Sequence, residues 1–395
     1  MIERSYIYIF AFFISLGPIF WLPNVPPALF FYLKNTLLIV LFFYSICFFI
    51  NEKKMSFPGG ISVFLPLLFM LKILFIYYIF GDNRKTLIDI INLFQILIFL
   101  ISSNVIINKN KIFLVLKIAT NIILFFVLFS LICFLYVPYE TNPLNNDLML
   151  IQTGFGGSRT GWSPSIGLFI PLVYLFYNNI IFMYIIMSSQ IITGGRAGFF
   201  TAILILPLLL YFKNTKILLY SFIFSLLILS YVAYYYINFE ILDSRILDFV
   251  LNFDTSNVDS LSTGRLSLFL NSINSLSNSP LIGYGYLKSF VGEDVHNVFV
   301  KNWLYYGFFY FLLSVYLVLL PFIFLIKNIY FNKNVSHKIF FKILILVLAY
   351  GLIIGLLEPS IIFGNFNTFN VWWFCYAILV SKKYDYKIIN NKVMV

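Results

Sequence analysis

Short polar stretches interrupt an otherwise apolar chain, and three of them place an arginine within two residues of glycine. The first reads Gly154-Phe155-Gly156-Gly157-Ser158-Arg159-Thr160-Gly161-Trp162-Ser163-Pro164. Its glycines expose backbone N–H groups, and Arg159 adds a rigid fork of donors suited to phosphate. A flexible loop with an arginine anchoring a helix at an interface accounts for the same residues without chemistry. The second reads Ser188-Ser189-Gln190-Ile191-Ile192-Thr193-Gly194-Gly195-Arg196-Ala197-Gly198. If one helix runs through it, Ser189, Thr193 and Arg196 share a face at spacings of four and three. A polar stripe ending in arginine is costly in an apolar setting unless it lines a cavity or meets an anion. An arginine merely snorkelling to headgroups predicts apolar neighbours, and these neighbours are polar.

In the third, Ser262-Thr263-Gly264-Arg265 opens a helical pattern with Leu266, Phe269, Leu270, Ile273 and Leu276 on one face. An amphipathic helix of this kind lies in an interface and puts Arg265 at its N-terminus, where an anion is favoured. A solvated capping arginine is the plainer reading. The chain continues through Ser279-Pro280-Leu281-Ile282-Gly283-Tyr284-Gly285-Tyr286 to Glu293-Asp294-Val295-His296-Asn297. A neutral imidazole at His296 is suited to take a proton from a hydroxyl, with a neighbouring carboxylate to orient it. Glu293 and Asp294 are the other bases within reach. The second histidine, His337, lies in a basic connection and is assigned no role. The chain is read as lacking metal-binding D-x-D and D-x-H spacings and any Walker or Rossmann fingerprint, so neither a metal nor a cofactor is expected.

The elements that must position these residues are membrane helices. Of 395 residues, 61% are hydrophobic and 10% charged, with mean hydropathy +0.95. Soluble domains carry about 25% charged residues, so an ordinary soluble fold is excluded, and so much apolar surface excludes disorder. The runs are apolar on every side, which excludes a β-barrel of alternating strands. The expected fold is all-α: one polytopic membrane domain over 1–395 with twelve spans of the length a bilayer needs. They fall near 5–22, 29–50, 60–80, 86–107, 112–137, 163–177, 179–193, 197–212, 217–238, 301–326, 339–357 and 368–380.

An even number of spans puts both termini on one side. With the termini inside, the inner connections carry fourteen basic residues and the outer ones seven: Arg84, Lys85, Arg159, Arg196, Arg245, Arg265 and Lys288. The positive-inside rule therefore makes the termini cytoplasmic. The outer face holds two long loops, 138–162 and 239–300, so chemistry is expected there. The net charge of +11 does not imply nucleic acid, because the charges sit between apolar runs. Cys47, Cys133 and Cys375 read as small apolar residues rather than disulfide or zinc partners. Arg159, Arg196, Arg265 and His296 all fall on the outer side under a topology fixed by other residues.

In order and topology the chain resembles the superfamily of O-antigen polymerases and O-antigen ligases, most closely a Wzy-type polymerase. The resemblance rests on Arg159-Thr160-Gly161 with Pro164, on Thr193-Gly194-Gly195-Arg196-Ala197-Gly198, and on Thr263-Gly264-Arg265 running through Pro280-Leu281-Ile282-Gly283-Tyr284-Gly285 to His296-Asn297. It implies a metal-independent, GT-C-like glycosyltransferase of the bacterial inner membrane, with its active site facing the periplasm. The implied donor and acceptor are undecaprenyl-diphosphate-linked oligosaccharide repeats, and a chain-length regulator is a further candidate partner. Carried onto this chain, Arg159, Arg196 and Arg265 would hold diphosphate and His296 would activate the acceptor. Ser189, Thr193, Gly195, Tyr284 and Asn297 would line the site. A ligase that moves finished polymer onto lipid A-core shares the pattern. A lipid-linked sugar transporter ranks lower, because Lys72, Asp89 and Lys117 form no evident path and the halves do not repeat.

Overall fold

A segment in lipid must satisfy its backbone polar groups internally, and a helix does so within one run of chain. The computed structural model describes residues 2–19, 27–52, 60–80, 84–136, 140–141, 150–151, 159–192, 195–211, 265–276, 281–285, 295, 297–331, 335–357 and 369–381. The helices are α1 (Ile2–Ile19), α2 (Pro27–Glu52), α3 (Gly60–Phe80), α4 (Arg84–Asn108), α5 (Ile112–Tyr136), α6 (Arg159–Gly167) and α7 (Ile170–Tyr177). There follow α8 (Ile180–Ile192), α9 (Arg196–Tyr211), α10 (Arg265–Leu276), α11 (Val298–Tyr306), α12 (Phe308–Phe331), α13 (Val335–Leu357) and α14 (Asn370–Val380). The strands among the described residues are one short pair, β1 (Glu140–Thr141) against β2 (Leu150–Ile151), antiparallel with Glu140 opposite Ile151.

Among the described residues four helices hold windows long and apolar enough to cross a membrane: Phe30–Asn51, Leu87–Asn108, Ile112–Ile132 and Ile339–Leu357, in α2, α4, α5 and α13. Shorter apolar helices accompany them, among them Pro66–Tyr78 and Phe308–Phe324. On α2, Phe31, Tyr32, Ile39, Phe43 and Ile50 stand exposed while Leu38, Leu41 and Phe49 pack inward. An apolar face of that extent suits lipid rather than water. The protein is a helical membrane protein.

Some expected spans keep their bounds: 60–80 is α3, and 112–137 is α5 with one residue fewer. The span 217–238 lies outside the described residues. Two others are corrected. Span 163–177 is two helices, because α6 ends at Gly167 and Pro171 stands in the first turn of α7. Proline suits a helix's first turn, where its missing N–H costs nothing, and the chain restarts there. Span 301–326 likewise divides into α11 and α12 at Gly307, whose φ of +85° suits glycine. A Cβ at Gly307 would lie 2.3 Å from the Leu281 carbonyl oxygen.

The core gathers around α14, in which every residue is buried and which packs against α1, α4, α12 and α13. Its rings interlock with those of the first helix, as where Phe10 meets Phe374 edge-on at 5.2 Å. The Asn370 side chain donates from Nδ2 to the Phe13 carbonyl at 2.9 Å. Helix α10 also differs from its expected face. Phe269 and Leu276 pack with Val295, Val300 and Leu304, Ser272 is buried, and Leu270 and Ile273 remain exposed. Its apolar stripe is therefore wider than the face that packs on protein.

Candidate functional site

Each of the three arginines singled out above is the first residue of a helix: Arg159 of α6, Arg196 of α9 and Arg265 of α10. The first turn of a helix presents unpaired N–H groups and the positive end of the macrodipole. A cation there adds like charge to like, a cost an anion would relieve.

Two of these helix starts are locked together. The Ser163 hydroxyl donates to the Gly195 carbonyl at 2.9 Å, and the Phe199 N–H donates to the same carbonyl at 3.1 Å. Gly195 thereby opens α9 while holding α6. Gly198 packs so closely on Ser163 and Pro164 that a Cβ would lie 2.7 Å from the Ser163 carbonyl carbon. The approach depends on glycine, and it sets the backbones of Arg159 and Arg196 at adjacent helix ends.

A buried polar network braces that junction. Gln190 of α8 donates from Nε2 to the Ser163 carbonyl at 2.7 Å and to the Tyr350 hydroxyl at 3.1 Å. Tyr350 of α13 donates to the Gly198 carbonyl at 2.9 Å. The Trp162 indole N–H donates to the Ser189 hydroxyl at 3.0 Å. Trp162, Ser163, Gln190 and Tyr350 are all buried. None of these four was singled out as a site residue from sequence, although the first three stand inside the quoted stretches.

Ser189 and Arg196 do not share one helix, as the expected stripe requires. Helix α8 stops at Ile192 and α9 begins at Arg196. The Gly195 N–H reaches back to the Gln190 carbonyl at 3.2 Å, a six-residue closure typical of helix C-termini. Ser189 is buried with its hydroxyl turned to Trp162, and Thr193 lies outside the described residues.

Beyond the arginines, Asn297 is the N-cap of α11: its side-chain oxygen accepts from the Phe299 and Val300 N–H groups, both at 3.0 Å. Its Nδ2 donates to the Leu356 carbonyl near the end of α13 at 3.2 Å. Leu356 lies about 9 Å along α13 from Tyr350, at 1.5 Å per residue. The cap of α11 and the start of α9 therefore share one end of the bundle. Val295 packs beneath that cap; His296, Glu293 and Asp294 lie outside the described residues. Asp294 and His296 do stand at a D-x-H spacing, which makes chelation a pointed test of the expectation that no metal takes part.

Tyr284 sits elsewhere. Its N–H donates to the Leu304 carbonyl at 2.6 Å, the next N–H to Tyr305 at 3.0 Å, and its hydroxyl to the Ser275 carbonyl at 2.6 Å. The Gly283-Tyr284-Gly285 stretch thus lies against the last turn of α11 and ties it to α10. Gly283 has φ +85°, and a Cβ on it would lie 2.5 Å from the Gly307 nitrogen. Tyr284 and Asn297 are at opposite ends of α11, not side by side.

No protein-family model matches the chain, and no curated protein matches it in sequence.

Proposed function

We propose that the chain is a polytopic membrane glycosyltransferase that takes its sugar donor as a lipid diphosphate. Within that class it is an O-antigen or related surface-polysaccharide polymerase. It joins undecaprenyl-diphosphate-linked repeats at the periplasmic face of the inner membrane, on a GT-C-like scaffold of twelve spans with cytoplasmic termini. The observation that carries this reading is the pair of neighbouring helix starts at Arg159 and Arg196, fastened through Ser163, Gly195 and Gly198. Two guanidinium-bearing residues beside two helix N-termini are what a diphosphate needs.

In the proposed reaction the acceptor hydroxyl oxygen bonds to the donor's anomeric carbon as that carbon's bond to the diphosphate oxygen breaks. The hydroxyl proton passes to the base, His296 or one of Glu293 and Asp294. The electron pair leaves on the diphosphate, whose growing charge Arg159, Arg196 and Arg265 stabilise in place of a metal. A single displacement of this kind inverts the anomeric carbon.

The test is purified protein with lipid-linked repeats in EDTA, read as a ladder of extended products. Wild-type protein should extend them, Arg196→Ala should not, and Arg196→Lys should recover little, lacking the planar fork. Wild-type product lengths from Arg196→Ala, or activity lost to chelation and restored by magnesium or manganese, would contradict the proposal.

A further inference from the structure

A second polar group, apart from the arginine junction, lies along α11 towards its C-terminal end. There the Tyr306 hydroxyl donates to Asp89 Oδ2 at 2.5 Å, joining α11 to the second turn of α4. Asn302 stands one turn before Tyr306 and shares its face of the helix. Both are buried, at 5% and 2% exposure. The Asn302 Nδ2 group is enclosed and has no hydrogen-bond partner among the described residues. A buried amide without an acceptor lowers stability, and an ionisable side chain held in an apolar bundle is commonly functional. Asp89 is less enclosed, with part of its surface open. Tyr310 packs on Tyr306 with ring centres 4.7 Å apart.

We propose that Asn302, Tyr306 and Asp89 form a recognition subsite for the hydroxyl groups of a neutral sugar. A hydroxyl both donates and accepts; Asp89 offers the acceptor and Asn302 Nδ2 the unused donor. An anionic sugar would meet the Asp89 charge, and an ammonium group would leave Asn302 unanswered. The inference rests on the polymerase reading for the rest of the ligand, the diphosphate at the arginine end. Asn297 and Tyr306 are about 13 Å apart along α11 at 1.5 Å per residue. A ligand reaching from one end to the other is an oligosaccharide rather than a single sugar.

The test uses the full-length protein in nanodiscs and two probes: undecaprenyl diphosphate, and the same lipid carrying the oligosaccharide repeat of the source organism. Wild-type protein should bind the glycosylated lipid more tightly. Asn302→Leu, which keeps the volume, should reduce that preference about tenfold, the worth of a well-made buried hydrogen bond. Its affinity for undecaprenyl diphosphate should not change. Its unfolding temperature should rise, because an orphaned amide is gone; a purely structural Asn302 would show no accompanying loss of preference. Asp89→Asn keeps an acceptor for Tyr306 and should weaken the same preference. If both variants retain the wild-type preference while Arg196→Ala loses both lipids, the subsite is overturned and the polymerase reading stands. If wild-type protein binds neither lipid, both are overturned.

Discussion

Replacing Gly198 with alanine tests whether the two arginine-bearing helix starts need their close approach. The new Cβ would lie 2.2 Å from Ser163 Oγ, 2.7 Å from the Ser163 carbonyl carbon and 2.9 Å from the Pro164 nitrogen, where ordinary contact begins at 3.4 Å. Backbone atoms cannot rotate away, so α9 must retreat from α6 by roughly 0.5–1 Å in a close-packed interior. Overpacking of that size costs about 1–3 kcal/mol, and alanine returns ~1 kcal/mol through its helix propensity. Net stability should therefore fall by about 0–2 kcal/mol, while a misplacement near 1 Å can cost about a hundredfold in rate. In detergent, Gly198→Ala should unfold within a few degrees of wild type yet extend lipid-linked repeats at least about tenfold more slowly. Adding Ser163→Ala should not restore the rate, because two of the three obstructing atoms belong to the backbone. A wild-type rate in Gly198→Ala would refute the reasoning, and full recovery in the double variant would reduce the obstruction to one hydroxyl.

Tyr350→Phe removes the hydroxyl shared by Gln190 and the Gly198 carbonyl, so thermal unfolding should show a loss of about 1–3 kcal/mol for groups left buried and unpaired; unchanged unfolding would mean the brace contributes nothing. His296→Ala should slow single-turnover transfer at saturating acceptor by about 10² to 10⁴, the usual share of general acid–base catalysis. A near-wild-type rate there, with Glu293→Ala or Asp294→Ala inactive, would move the base to that carboxylate.

The membrane class was legible because lipid imposes one rule on every residue of a span: a run such as Ile112–Tyr136, apolar on all sides, has no stable form but a helix. The helix breaks were written in single residues and overlooked. Pro171 and Gly307 each mark a restart, but apolar runs on both sides hid them. Ser189 and Arg196 failed to share a face for a related reason: periodicity assumed a continuous helix, whereas the chain has left α8 by Gly195, which opens α9. What sequence could not supply was partners far apart along the chain. Gln190 and Tyr350 are 160 residues apart, and Asp89 and Tyr306 are 217 apart. Asp89 and Lys72 looked unconnected when read along the chain, yet Asp89 is joined to α11. Lys34, which falls inside an expected span, is buried with its Nζ donating to Gln95 Oε1 at 2.8 Å. Burial of a cation is tolerated when polar groups surround it, a condition that only packing reveals. The arginines were found by residue type and Arg265 was placed at a helix start by its sequence pattern, but the same setting for Arg159 and Arg196 appeared only in three dimensions.

The central claim is polymerisation of lipid-linked repeats, and deletion of the gene in its own organism tests it most directly. Surface lipopolysaccharide from the deletion strain, separated by size, should lose its ladder and retain core carrying a single repeat, with the ladder restored by the wild-type gene but not by Arg196→Ala. Unmodified core would point to the ligase instead, and an unaltered ladder would contradict the account.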